Sequence, residues 1–116
     1  MKTSVIGPET VTDVSGISEL LDTYPISRML SGDRLGPDRI AKKYASENNI
    51  PILLMPKTND VHLMNIQMVG FCDQVIAFCD DNSDQIRMII DYVKRYGVYC
   101  IAYTKDVTGQ WKLESN

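Results

Sequence analysis

The chain has one histidine, three cysteines and no CxxC pair. A single histidine leaves no paired-imidazole metal site and no histidine relay. The odd, scattered set of thiols, Cys72, Cys79 and Cys100, argues against a disulfide framework and a cysteine-rich zinc site. They read as three reduced, buried thiols. No apolar run reaches the roughly 18 residues of a membrane span. The opening MKTSVIGPET lacks the apolar region of a signal peptide and reads as a first strand. There is no excess of positive charge: 12 Lys and Arg face 15 Asp and Glu, for a net charge of −3. That argues against a broad nucleic-acid surface. No G-x-S-x-G occurs, which counts against an α/β-hydrolase. No G-x-x-x-x-G-K-[ST] and no G-x-G-x-x-G after the first strand occur, so an ordinary P-loop and a dinucleotide oxidoreductase are not indicated. Repeats, low-complexity stretches and linkers are also missing. A cytoplasmic protein is the expectation.

What is present is a regular alternation of short apolar runs and amphipathic segments. The 116 residues, 44% apolar and 23% charged, suffice for one domain with one core. Strands are predicted over 2–6, 26–31, 50–55, 74–79 and 98–103. The third, apolar throughout apart from Pro51, reads as a strand buried on both faces. Helices are predicted over 13–24, 37–48, 61–72 and 83–96. The last is the strongest, with Ile86, Ile89, Ile90 and Val93 on one stripe, Ser83 as N-cap and Gly97 as stop. The methionines Met55, Met64, Met68 and Met88 read as core filler. This pattern predicts an α/β fold: a small doubly wound, Rossmann-like parallel sheet of about five strands with helices on both faces. The domain spans 1–104. The tail, 105–116, has a turn signal at Thr108-Gly109, and 110–113 can fold back as an antiparallel edge strand carrying Trp111.

In such sheets ligands bind beyond the carboxyl ends of the strands, where strand order reverses. The first and fourth strands should meet there, which singles out three loops. GPETVTD offers Gly7, where the backbone turns and a ligand can approach, and the polar groups of Glu9, Thr10 and Thr12; Thr12 or Asp13 can instead cap the next helix. SGDRLGPD offers Ser31, Gly32 and Gly36 ahead of Pro37, which suits a first helical turn. Arg34 is its cation for a phosphate or carboxylate, and Asp38 can bond a sugar or base or complement the helix dipole. CDDNSDQ offers Ser83 and the amides of Asp84, Gln85 and Ile86 as an anion cradle. Asp80, Asp81 and Asp84 would repel a phosphate there unless a cation intervened; no metal site is assigned. His62, at a helix start, reads as a surface residue.

These residues resemble the SLOG superfamily of Rossmann-like nucleotide-binding domains, and within it the bacterial and phage YspA-type proteins. The resemblance runs over 2–103. It is carried by Ser31-Gly32-Asp33-Arg34-Leu35-Gly36-Pro37-Asp38, by Met64-Asn65-Ile66-Gln67-Met68, and by Ile76-Ala77-Phe78 with Asp80 and Ser83. The sequence departs from the family pattern in three places. Gly7-Pro8-Glu9 stands for Gly-Ser-Arg, the arginine before Asn65 is missing, and Asp84-Gln85 replaces Gly-Thr. The phosphoribohydrolase relatives carry a Pro-Gly-Gly-x-Gly-Thr-x-x-Glu motif that 80–88 lacks, so hydrolysis of that kind is not expected.

The resemblance implies binding or sensing of a nucleotide or nucleotide-derived ligand; no other cofactor is assigned. Asn65 would orient it, Arg34 and the Gly32–Gly36 backbone would hold its anionic part, and Ser83 another. It also implies self-association, for which the methionine-rich segment 61–72 is the expected contact surface. One alternative is an N-glycosidase or deoxyribosyltransferase using Glu9, Asp80 or Asp81. A raised carboxyl pKa in the cleft would favour it. Another is a non-catalytic interaction module of a phage-encoded kind, marked by an exposed apolar patch and a filled cleft.

Overall fold

The computed structural model describes residues 1–32, 36–55 and 70–114. The described elements are β1 (Lys2–Ile6), α1 (Ile17–Leu21), β2 (Arg28–Ser31), α2 (Pro37–Glu47) and β3 (Ile52–Leu54). Then follow β4 (Gln74–Cys79), α3 (Asp84–Arg95), β5 (Tyr99–Lys105) and β6 (Trp111–Leu113). One sheet of six strands has the order β3-β2-β1-β4-β5-β6. Strands β1 to β5 pair in parallel, and β6 returns antiparallel to β5. This is the doubly wound α/β architecture expected, including the antiparallel C-terminal edge. Strand order reverses at β1, which pairs with β2 on one side and with β4 on the other.

The two-residue period of the strands divides the core between the faces of the sheet. From β4, Ile76 and Phe78 join Val5, Ile17, Leu21, Met29, Ala41 and Tyr44, which seat α1 and α2. Val75, Ala77 and Cys79 point the other way and meet Ile86, Ile89, Ile90 and Val93 of α3. Burying each of these isoleucines stabilises the fold by roughly 1.5–3 kcal/mol. Gly97, with φ 83°, stops α3 where only glycine is unstrained. All three cysteines are free and buried.

Four expectations change. Helix α1 is five residues long, not the whole of 13–24. Asp13 instead accepts the Ser15 N–H at 3.1 Å, and Gly16, φ 85°, precedes the first helical residue. Neither Thr12 nor Asp13 therefore caps α1. Strand β3 is not buried on both faces: Leu53 is 56% and Leu54 40% exposed, because β3 is the edge strand and has one neighbour. Met88 is 65% exposed on α3 and is not core filler. The segment predicted as a helix over 61–72, with Met64 and Met68, lies outside the described residues up to residue 69. No helix among the described residues is long and apolar enough to cross a membrane.

Candidate functional site

The loop after β1, the loop after β4 and the end of β5 surround an open cleft of about 370 Å³ at the carboxyl end of the sheet. Thr10, Val11, Thr12 and Asp13 form the wall contributed by the β1 loop. Cys79, Asp80 and Asp81 form the wall at the end of β4. Thr104, Lys105 and Trp111 line it from the terminal hairpin, and Arg87 reaches it from α3.

Asp80 organises this cleft. Its Oδ2 accepts the Thr10 hydroxyl at 2.7 Å, tying the β1 loop to β4 across the strand reversal. Its Oδ1 accepts the Asn82 N–H at 2.9 Å and the Ser83 hydroxyl at 3.1 Å. Its own N–H donates to Ser83 Oγ at 2.7 Å. Burial pushes the Asp80 carboxyl up, but these donors outweigh it and hold the group below the usual aspartate range. Asp80 is thus a fixed anion, unsuited to donate a proton at neutral pH. Ser83 precedes α3, as predicted, yet its side chain makes no capping bond to the helix. The hydroxyl is consumed by Asp80, and Ser83 is buried, so it is not presented to a bound anion.

Among the described residues the cleft holds two cations, each matched to a carboxylate. Lys105 Nζ lies 3.1 Å from Asp13 Oδ2, 2.9 Å from the Asp13 carbonyl and 5.1 Å from the centre of the Trp111 ring. The Ser15 side chain and N–H, with Lys105, hold the Asp13 carboxyl at about 2. Arg87 Nη1 donates to Glu114 Oε2 at 2.5 Å. Trp111 packs edge-on against Phe78, and its indole N–H has no acceptor among the described residues.

Three glycines of these loops sit in close packing contacts. A Cβ on Gly7 would meet the Pro37 ring and stand 2.8 Å from the Phe78 carbonyl oxygen. Gly36, φ 82°, would place one 2.7 Å from the Val11 carbonyl oxygen and 3.2 Å from that of Pro8. At Gly32 it would lie 2.6 Å from Asp38 Oδ2. The β1 loop and the start of α2 are therefore locked face to face. The buried Ser31 hydroxyl turns inward, 3.1 Å from the Gly32 carbonyl and 3.3 Å from that of Asp38. Asp38 is itself 5% exposed.

Of the predicted site residues, the structure brings Thr10, Asp80 and Ser83 together. Ser31, Gly32 and Asp38 form a separate buried cluster that does not line this cleft. Glu9 is exposed beside Thr10. Arg34, His62 and Asn65 lie outside the described residues. Sequence reasoning missed Arg87, Thr104 and Lys105. Predicting the end of β5 at Tyr103 left out the two residues that carry it into the cleft, whereas β5 runs to Lys105. Among the described residues no group of three or more His, Cys, Asp or Glu side chains is arranged to hold a metal ion. The thiols are no better as nucleophiles, since burial pushes Cys72 up to about 12 and Cys100 to about 11, and raises Cys79 as well.

Comparison of the chain with protein-family models, with curated proteins and with solved structures finds no match.

Proposed function

We propose that this chain binds a nucleotide or nucleotide-derived small molecule in the cleft beyond β1, β4 and β5. The observation that carries the reading is position. A cleft of about 370 Å³ opens where strand order reverses in a doubly wound sheet, the place such sheets reserve for ligands. Fixed acceptors on Asp80, the hydroxyls of Thr12 and Thr104 and the Trp111 side chain suit a sugar joined to a flat ring. The resemblance to the SLOG superfamily supports the same reading. Asp80, held ionised by its donors, is unsuited to protonate a leaving group, which removes the general-acid role from this carboxylate. Self-association belongs to the same proposal and is read by light scattering on the purified protein.

The test is a thermal-shift screen against nucleosides, nucleotides, cyclic nucleotides and ADP-ribose derivatives. A ligand at about 100 times its Kd should stabilise the fold by roughly 2.7 kcal/mol. Thr104→Val and Asp80→Asn should each reduce that shift. The proposal fails if no compound shifts the wild type, or if both variants keep the full shift.

A further inference from the structure

We infer that the cleft selects the uncharged nucleoside portion of such a ligand and discriminates against its phosphorylated forms. This rests on the nucleotide-type reading above and adds a sign of charge to it. A phosphate needs backbone amides presented at a glycine turn, a free cation, or both. Among the described residues no glycine lines the cleft, and both of its cations are ion-paired. A Cβ on Gly7 would meet the Pro37 ring and the Phe78 carbonyl, and one on Gly36 the carbonyls of Val11 and Pro8. Both sets of neighbours consist of carbonyl oxygens or carbon, which cannot donate to an anion. The Ser83 hydroxyl is already engaged with Asp80.

The charges point the same way. Arg87 and Lys105 line the cleft, but they face Asp13, Asp80 and Asp81 on its walls, with Glu114 bonded to Arg87 from outside it. Each cation is already paired, Lys105 with Asp13 at 3.1 Å and Arg87 with Glu114 at 2.5 Å. A phosphate would have to share one of these cations with its carboxylate and then sit among the rest. A ribose diol, by contrast, donates to carboxylates without bringing charge.

The experiment compares adenosine, guanosine, cytidine, uridine and thymidine with their 5′-monophosphates by calorimetric titration at about 0.15 M salt, where surface charges are partly screened. The nucleoside that binds should exceed its own monophosphate by about tenfold in affinity. Glu114→Gln, which leaves Arg87 without its carboxylate, should narrow that ratio to about unity. A monophosphate that binds as tightly as its nucleoside, or a ratio unchanged in Glu114→Gln, overturns the charge inference and leaves the nucleotide-type reading standing. Failure of both series to bind overturns the two together.

Discussion

The Pro37 ring occupies the space that a side chain on Gly7 would need, at the point where the β1 loop meets the first turn of α2. Two segments thirty residues apart are thereby pressed into contact, with the Phe78 carbonyl oxygen 2.8 Å from the same point. Proline is free to sit there because the first helical position needs no N–H. Gly7, whatever ligand approaches it, is an interlock between the loop after a parallel strand and a helix.

Gly7→Ala should therefore act on stability. The neighbouring carbonyl belongs to the central strand β4 and cannot yield cheaply, so overpacking should cost about 1–3 kcal/mol. Urea unfolding of the two proteins gives the value directly. A loss smaller than about 0.5 kcal/mol, the range of an ordinary surface substitution, would show that the interlock is loose.

The bond from Thr10 to Asp80 should be worth more than its exposure suggests, because Asp80 serves three donors at once. Thr10→Val removes one donor and should cost about 1 kcal/mol, whereas Asp80→Ala strips the partner from all three and should cost about 2–3 kcal/mol. A double-mutant cycle should show coupling of about 0.5 kcal/mol or more. Strict additivity would mean that the two loops are not joined through this bond.

Much of the fold is legible in the sequence because its signals are local. The alternation of Val75 to Cys79, the Ile86–Val93 stripe, Pro37 at a helix start and Gly97 at a helix end each state one fact about the backbone. The site is less legible because it depends on what meets across the sheet. Lys105 reaches Asp13 from ninety-two residues away, and Arg87 reaches Glu114 beyond β6. Nothing in the SGDRLGPD run announces that its glycines pack against Asp38 and the β1 loop. The exposure of Leu53 was hidden for a related reason: an apolar run reads alike in a central and an edge strand.

Tyr24 and Tyr103 share a short hydroxyl–hydroxyl hydrogen bond, and Tyr103 stacks on Phe78 with ring centres 5.4 Å apart. Burial, followed by this bond, pushes the Tyr24 phenol well above its ordinary range. Tyr24→Phe leaves the buried Tyr103 hydroxyl without that partner and should cost about 1–2 kcal/mol. Adding Tyr103→Phe should recover part of the loss, since the orphaned polar group is then gone. A double variant as unstable as the sum of the singles would sink this account.

The three thiols should resist modification while the fold is intact. Burial holds Cys72 at about 12 and Cys100 at about 11, so almost no thiolate exists at pH 8, and the sulfurs are covered. A colorimetric disulfide reagent should react with none of them on the timescale of minutes in buffer, and with all three in denaturant. One fast thiol in the native protein would show that part of the core around β4 or β5 opens readily.

Acid should remove a defined part of the stability. The Ser15 side chain and N–H, with Lys105, hold Asp13 at about 2; the Thr108 side chain and the Gln110 N–H hold Asp106 below its ordinary range; and Asp80 is held low as well, against its own burial. In the unfolded chain each titrates near the ordinary aspartate value of about 3.9. Folded pKa values below unfolded ones mean that the unfolded state takes up protons first as pH falls. The stabilisation from these groups is therefore complete above about pH 5 and is lost progressively toward pH 2. Urea midpoints measured from pH 7 down to 2.5 should be flat at first and then fall, and Asp80→Asn should make the fall shallower. A midpoint that stays constant, or rises, between pH 5 and 2.5 would contradict the hydrogen-bonding assigned to these carboxylates.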